Sequence, residues 1–208
     1  MSSKNQWLET SRGYSLAANY QAGHFPCVIF LGGFMSSMAG TKAQYLSQLC
    51  EAKGQAFLRF DYSGHGASGG VFEECTIGQW IADTLDVIQE FKIDSSVLVG
   101  SSMGGWIMFH VALALKDKVK ALIGVAAAPD FTQDILNDEL TSLEKEKLLR
   151  DGMVRKISQD GDFDYIITKN FIDDGNLNCL LDQPININIP VRLLQGLNDE
   201  QVPWRSAL

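Results

Sequence analysis

The sequence has few of the features that would indicate export, disulfide bonding or a membrane span. Its four cysteines are widely spaced and include no CxxC pair, which indicates free thiols in a reducing compartment. The amino-terminal stretch MSSKNQWLETSRGYS has no apolar core for export, so we expect a cytoplasmic protein. Residues 97–115 form the longest nearly uncharged run, but they contain glycines, serines and a histidine. This run predicts a strand, a turn and a buried helix rather than a membrane span.

The charge balance argues against polyanionic partners. The formal net charge is -8 and the sequence pI is about 4.8. An acidic surface repels phosphate backbones and anionic lipid headgroups, so neither nucleic acid nor a charged membrane is expected as the main partner. The length of 208 residues indicates one domain. The sequence does not indicate the oligomeric state of the protein.

Apolar runs alternate with segments of helical spacing through the first part of the chain. PCVIFLGG, QAFLRFD, SSVLVG and VKALIGVAAA predict buried strands, and helices are predicted near residues 41–53, 76–91 and after residue 102. Thr41 is the expected N-cap of the first of these helices. This rhythm predicts an α/β fold with a mostly parallel sheet and helices on both faces.

The rhythm stops after Pro129. Residues 130–185 are charged and polar and contain no convincing strand, so we interpret them as a helical lid insertion. INIPVRLLQG then restores a buried strand. The predicted core therefore comprises residues 1–129 and 186–208.

A serine motif follows the strand SSVLVG. Gly100-Ser101-Ser102-Met103-Gly104 fits the pattern G-x-S-x-G, with Ser102 at a strand-to-helix turn where its hydroxyl would project above the sheet. Residues 66–70 match the same pattern around Ser68 but lead into no helix, so we interpret them as a loop. The alternative for Ser102 is a glycine-rich turn that only allows close helix packing.

A second glycine pattern overlaps that loop. Residues 64–69 read G-x-G-x-x-G after a strand, a spacing that could hold a dinucleotide pyrophosphate. The next helix begins only near Thr76 rather than at the third glycine, which argues against this alternative. No metal-ligand cluster is evident either, so we expect no cofactor and no metal.

Four motifs in order make the chain resemble the α/β-hydrolases, and in particular their esterase and acyl-protein thioesterase branch. FLGGFMSSMAGTKA resembles the oxyanion loop of that family, RFDYSGHGASGG the loop after the next strand, GSSMGG the nucleophile elbow, and LLQGLNDEQVPW the acid loop. The resemblance covers essentially all 208 residues and is weakest in the lid.

The resemblance implies a role for each matching position. Ser102 is the nucleophile, Asp199 orients a histidine, and the backbone N–H groups of Phe34 and Met103 form the oxyanion hole. From the residues alone, Asp199 could instead cap a turn, and Phe34 could be only a pocket wall.

The expected base is missing from this arrangement. The family order is Ser, Asp, His, but no histidine follows Asp199. We expect His24 to be solvated, His110 to pack in or near the core, and His65 to be the only conceivable substitute. The expectation is therefore a longer chain that carries the histidine. The alternative is a hydrolase-like binding protein that does not turn over.

Apolar side chains surround the predicted site, including Met35, Met38 and Trp204. Methionines adapt to flexible apolar ligands, which favours an apolar acyl group in a small-molecule or acylated substrate. The alternative is that these are ordinary core side chains. The sequence thus predicts a serine hydrolase of carboxylic esters or thioesters.

Overall fold

A computed structural model describes residues 5–157 and 164–207 of the chain. The strands are β1 (Gln6–Glu9), β2 (Ser15–Gln21), β3 (His24–Leu31), β4 (Gln55–Phe60), β5 (Ser96–Ser101), β6 (Val119–Val125), β7 (Met153–Ile157), β8 (Asp164–Thr168) and β9 (Val191–Leu194). The α-helices are α1 (Thr41–Ala52), α2 (Ile77–Glu90), α3 (Met103–Leu115), α4 (Phe131–Asp134), α5 (Ser142–Asp151) and α6 (Lys169–Leu177).

Seven strands form one twisted sheet in the order β1-β2-β4-β3-β5-β6-β9. The pairs β4–β3, β3–β5, β5–β6 and β6–β9 are parallel, while β1 and β2 join the edge as an antiparallel hairpin. Parallel neighbours need crossover connections, and α1, α2 and α3 lie within them. The predicted α/β fold with a mostly parallel sheet is confirmed.

The core lies on both faces of this sheet because alternate residues of a strand point to opposite sides. Phe30, Phe57 and Val99 pack with Ala43 and Cys50 of α1 in one cluster. The neighbouring strand residues pack into the larger cluster with α2 and α3, including Ile29, Leu31, Leu58, Leu98, Trp80 and Trp106. Parallel strands buried on both faces account for the continuous apolar runs in the sequence.

The uncharged run at residues 97–115 becomes β5, a sharp turn and α3, as predicted. Nine of the thirteen residues of α3 are buried, so this helix is apolar all round because it is central rather than lipid-facing. Within residues 5–157 and 164–207, no helix has both the length and the hydropathy that a bilayer span requires.

The prediction that residues 130–185 contain no strand is wrong. β7 and β8 pair as an antiparallel hairpin apart from the main sheet, with Val154 opposite Ile167. β7 shows no alternation of apolar and polar residues, because Lys156 shares a face with the buried Val154, where it pairs with Glu144. Met153 and Ile157 are exposed on the other face. Residues 158–163 of the predicted lid lie outside the described part of the chain.

Several helices begin at a threonine whose side-chain hydroxyl caps the first turn. Thr76 accepts a hydrogen bond from the Gln79 amide, and Thr141 forms a capping box with Glu144 at the start of α5. The prediction for Thr41 is wrong by one position: Gly40 occupies the cap without a side-chain bond, and Thr41 is already helical.

A buried carboxylate joins three elements beneath the loop that follows β4. The Asp83 side chain of α2 is fully buried and accepts hydrogen bonds from Arg12 Nη2 (2.8 Å), Tyr14 Oη (2.8 Å), and both the amide (2.8 Å) and hydroxyl (2.6 Å) of Ser63. Satisfaction of a buried charge by several donors is what makes its burial tolerable. Asp83 therefore fixes the amino-terminal hairpin and the loop at Ser63 against α2.

Replacement of Asp83 by Asn should destabilise the fold strongly, since an amide would present a donor to groups that are themselves donors. We expect a loss of roughly 3 kcal/mol in the free energy of unfolding, measured by urea denaturation. Asp86→Asn is the matched control, because Asp86 also contacts Arg12 but is 39% exposed. Equal losses for both variants would contradict this view of Asp83.

Candidate active site

Ser102 occupies the turn between β5 and α3 in a backbone conformation that residues with side chains rarely adopt. Its φ is 52° and its ψ is -120°. Such a conformation costs about 1–3 kcal/mol and persists only where the surroundings hold it. Here the Ser102 amide donates to the Val125 carbonyl (3.1 Å), and the Ser102 carbonyl accepts from the amides of Gly105 (2.8 Å) and Ala128 (3.1 Å). The turn is thus held from the end of β6.

The glycines around Ser102 are required by backbone contact. A Cβ on Gly100 would lie 2.4 Å from the Gly104 carbonyl oxygen, and a Cβ on Gly104 would lie 2.1 Å from the Leu31 carbonyl oxygen. Neither distance is possible for real atoms. Small residues two before and two after Ser102 are therefore a condition for α3 to approach β3 and β5.

The two predicted oxyanion amides belong to segments that meet at Ser102. Met103 is the first residue of α3 and is fully buried. Phe34 lies in the turn after β3, where a Cβ on Gly33 would be 3.3 Å from Ser102 Cβ. Across residues 5–157 and 164–207, neither amide donates to another protein group. Free N–H groups and the amino end of a helix favour developing negative charge.

Asp199 lies in the turn after β9 and is held by its backbone surroundings. Its Oδ1 accepts from the amides of Gln201 (3.0 Å) and Val202 (2.9 Å), and its Oδ2 accepts from Gln195 Nε2 (3.3 Å). Val202 belongs to the cavity at Ser102. The contacts at Oδ1 match the turn-capping alternative, while Oδ2 retains capacity for a further donor.

None of the three histidines has a hydrogen bond to Ser102 or Asp199 within the described residues. His24 is exposed, and His110 Nε2 lies 2.8 Å from the Asn178 carbonyl. His65 is buried, with Nε2 accepting from the Met35 amide (3.2 Å) and Nδ1 facing the Ser63 carbonyl (3.1 Å). Both ring nitrogens of His65 are thus engaged, which leaves neither available to Ser102.

Burial lowers the pKa of both His65 and His110, with only partial opposition from their backbone contacts and nearby carboxylates. An unperturbed histidine has a pKa near 6.5, and a lowered pKa therefore leaves both imidazoles neutral at neutral pH. A neutral ring has one donor and one acceptor nitrogen. The two contacts of His65 fit a ring with its proton on Nδ1.

Ser102 opens into a cavity of about 150 Å³ between the sheet and the lid segment (residues 130–185). The lining is Phe34, Ser102, Ala128, Phe131, Asp134, Ile135, Glu139, Tyr165, Gln201, Val202 and Pro203. Seven of these eleven residues are apolar or aromatic and four are polar or charged, so only the apolar part of the cavity suits an apolar acyl group.

Among the described residues, the lining of this cavity does not include the predicted pocket residues Met35, Met38 and Trp204. Met35 is 41% exposed, Met38 is buried, and Trp204 lies beside the Arg205 guanidinium at 5.1 Å. Sequence reasoning missed the lid residues Asp134, Ile135, Glu139 and Tyr165. No local pattern marks them, because only the folding of the lid brings them to Ser102.

Two carboxyl groups line this cavity. Partial burial raises the pKa of Glu139, and Asp134 adds to the effect. Partial burial also raises the pKa of Asp134, with further contributions from Asp138 and Asp130. In their ionised form these carboxylates would repel an anionic ligand.

The glycine-rich loop after β4 is packed against protein rather than open to a ligand. A Cβ on Gly66 would lie 2.2 Å from Asp61 Oδ2, and Ala67 donates its amide to the same oxygen (2.9 Å). Ser68 Oγ donates to the Asp61 carbonyl (2.6 Å) and accepts from the Ala17 amide (2.9 Å). The loop thus wraps around Asp61, which leaves no phosphate cradle and gives Ser68 a structural role.

Comparison with known proteins gives consistent matches. Residues 26–182 match the alpha/beta hydrolase fold family. Human palmitoyl-protein thioesterase ABHD10, mitochondrial, is 41% identical over 196 residues, which is 93% of this chain and 63% of that protein. The chain thus spans 63% of the length of this curated relative.

Solved structures agree with the fold. Mouse alpha/beta hydrolase domain-containing protein 10 superposes with a TM-score of 0.88 at 38% identity, covering 98% of this chain and 82% of that chain. Est1E from Butyrivibrio proteoclasticus, in a structure with ferulic acid bound, gives a TM-score of 0.80 at 22% identity, with 97% of this chain and 82% of that chain covered. At this lower identity the likeness concerns the fold alone.

The expectation of a cytoplasmic protein is contradicted by these matches. The human, orangutan and bovine relatives all carry the word mitochondrial in their names. The four free cysteines could not distinguish cytoplasm from mitochondria, because unpaired thiols only indicate a reducing environment.

Gly104→Ala should destabilise the protein although alanine is the better helix former. In an open helix this change stabilises by about 1 kcal/mol, but here the added methyl would overlap the Leu31 carbonyl. We expect a loss of several kcal/mol in the free energy of unfolding, which thermal and urea denaturation would measure. Gly196→Ala is the control, since its Cβ would meet no atom closer than 3.6 Å. A stabilised Gly104→Ala variant would contradict the close approach.

Proposed function

The chain belongs to the α/β-hydrolase fold family, and on that premise we propose that it is a serine hydrolase of carboxylic esters or thioesters. The observation that carries this proposal is the strained turn at Ser102, which lies beside two free backbone amides and opens into a partly apolar cavity. Strain of this kind concentrates at functional sites.

In the proposed reaction, Ser102 Oγ attacks the acyl carbonyl carbon and forms a tetrahedral intermediate. The amides of Phe34 and Met103 donate to the negative oxygen, and their alignment before the reaction avoids a cost of reorganisation. Collapse of the intermediate releases the alcohol or thiol and leaves an acyl-Ser102 ester. Water then attacks this ester, and the carboxylic acid leaves.

The mechanism requires a base that accepts the Ser102 proton. In this family the acid precedes a histidine in the chain, and we assign Asp199 to the acid role. Its Oδ2 has the capacity to accept the N–H of an imidazole, while Oδ1 is committed to the turn. Because none of His24, His65 and His110 has a hydrogen bond to Ser102 among the described residues, a binding protein without turnover is the second candidate.

For the substrate we propose an uncharged, apolar acyl group. The cavity walls include Phe34, Phe131, Ile135 and Val202, and the carboxyl groups of Asp134 and Glu139 disfavour acyl groups that carry a carboxylate. The relatives named palmitoyl-protein thioesterase support a thioester of a fatty acyl group, although the proposal for this chain rests on the cavity.

Ser102→Ala should abolish ester and thioester hydrolysis and labelling by a fluorophosphonate probe, because the probe reacts only with an activated serine. The measurement is gel-based labelling and turnover of a p-nitrophenyl ester by the protein expressed from its own gene. Ser101→Ala is the matched control, since Ser101 is the neighbouring hydroxyl and is also largely buried.

Labelling that persists in Ser102→Ala would rule out Ser102 as the nucleophile. Wild-type protein that is folded but neither labelled nor active would favour the binding-protein candidate.

Asp199→Asn separates the acid role from simple turn capping. Asparagine keeps an oxygen that can accept from the Gln201 and Val202 amides, so the turn should survive. It cannot stabilise an imidazolium, so we expect kcat to fall by at least about 100-fold with an unchanged melting temperature. Full kcat in this variant would indicate that Asp199 only caps the turn.

A further inference from the structure

His65 lies under the turn that carries the Phe34 amide. This histidine is 3% exposed and follows β4, while the turn follows β3. Its Nε2 accepts a hydrogen bond from the Met35 amide at 3.2 Å, and its Nδ1 lies 3.1 Å from the Ser63 carbonyl. The ring therefore connects the loop after β4 to the residue next to Phe34.

The turn that His65 contacts contains a strained residue. Residues 33–36 form a β-turn in which the Ser36 amide (3.1 Å) and hydroxyl (2.7 Å) both donate to the Gly33 carbonyl. Met35, at the third position, has a φ of 57°, whereas the φ of Phe34 before it is not positive. This pattern is that of a type II turn, whose third position prefers glycine or asparagine. Met35 has a side chain and is therefore strained.

The strained state differs from the common type I turn by rotation of one peptide group. Between the two types, ψ of Phe34 changes by roughly 150° and φ of Met35 by roughly 170°, which turns the Phe34–Met35 peptide over. In the type I state the Met35 amide would point away from His65 and the strain at Met35 would disappear, while the Phe34 amide, which belongs to the preceding peptide group, would keep its direction. Acceptance of the Met35 amide by His65 Nε2 thus favours the observed state and anchors the residue next to Phe34.

The His65 ring is fixed in place from several sides. It packs edge-on against Tyr62 (5.5 Å), Phe72 (5.1 Å) and Trp80 (5.0 Å), and Trp80 Nε1 donates to the same Ser63 carbonyl at 3.0 Å. The Ser63 carbonyl is a pure acceptor, so the proton of a neutral ring lies on Nδ1 and Nε2 remains free to accept.

The charged groups around His65 are already partnered. Asp61 accepts from the amides of Met38 and Ala67, and Asp83 is shared by Arg12, Tyr14 and Ser63. Both carboxylates favour the protonated ring, but burial outweighs them. Tyr62 and Cys75, also close by, have pKa values raised by burial and stay neutral.

We propose that His65 is a positioning residue for the oxyanion hole: as a neutral ring protonated on Nδ1, it holds the Met35 amide and thereby fixes the position of the turn that carries the Phe34 amide. This role rests on the proposed hydrolase function. It differs from that of a general base, because His65 does not exchange a proton with Ser102. Displacement of a reacting group or its partner by about 1 Å can cost about 100-fold in rate.

Two variants separate positioning from packing. His65→Phe keeps an aromatic ring among Tyr62, Phe72 and Trp80 but has no acceptor for the Met35 amide. His65→Gln replaces the ring with a group that can donate to Ser63 and accept from Met35. We expect His65→Phe to lower kcat and the rate of fluorophosphonate labelling by about 10- to 100-fold with KM within about twofold, and His65→Gln to restore most of the loss.

The hydrogen bond itself has a readout that needs no catalysis. In ¹⁵N-labelled wild-type protein, long-range ¹H–¹⁵N spectra should show His65 with its proton on Nδ1. A through-hydrogen-bond ¹⁵N–¹⁵N coupling should connect His65 Nε2 to the Met35 amide, and it should disappear on acidification as Nε2 gains a proton. A His65 proton on Nε2 at neutral pH, or no coupling to Met35, would overturn the proposal.

The kinetic outcomes distinguish this proposal from the function on which it rests. Wild-type protein that is labelled at Ser102, together with an unchanged rate in His65→Phe, would overturn only the role of His65. Equal loss in His65→Phe and His65→Gln with equal drops in melting temperature would also overturn it, since that pattern indicates packing. Wild-type protein without Ser102-dependent labelling or turnover would overturn both.

Discussion

The approach of α3 to the ends of β3 and β5 is the constraint on which the candidate site depends. Gly100 and Gly104 allow contact between backbones where a single methyl group would overlap a carbonyl oxygen. That contact forces the chain to reverse within one residue, and Ser102 takes the resulting positive φ. The hydrogen bonds of Ser102 to the end of β6 compensate the strain, so the position of its side chain follows from backbone packing.

The turn at Phe34 depends on a different kind of support. It is short and exposed, and the neighbouring loop after β4 holds it: Asp61 accepts the Met38 amide at 2.6 Å and His65 accepts the Met35 amide. That loop is in turn fixed by Asp83 through Ser63. A chain of buried, fully partnered polar groups therefore runs from α2 to the two sides of the Phe34 turn, where apolar packing alone could not set the direction of an amide.

Local patterns predicted the parts of this structure that local forces determine. The apolar runs of β3 to β6, the helix α2 capped by Thr76, and the turn at Ser102 each depend on residues within a few positions of one another. The hairpin of β7 and β8 was missed because the adjacent charged residues Arg155 and Lys156 interrupt the apolar pattern of β7. The cavity lining was missed because Glu139 and Tyr165 reach Ser102 only through tertiary packing of the lid segment. His65 shows the same limit. Its position after β4 predicts that it lies at the same edge of the sheet as Ser102, but not which atoms its ring contacts.

The supports of the site come from both the core and the lid. Ser102 is held by β6 and the glycines, the Phe34 backbone by the loop after β4, and Asp199 by the amides of its own turn. The Phe34 ring packs against aromatic rings of the lid, namely Phe131, Tyr165 and Phe171. The lid also provides Asp134, Ile135, Glu139 and Tyr165 to the cavity wall. Substitutions at Asp134 or Glu139 can therefore change which acyl groups fit while the Ser102 turn keeps its geometry, whereas a substitution at Tyr165 also removes a ring contact of Phe34. Substrate choice is thus placed mainly in a segment outside the main sheet, above a serine that backbone packing holds.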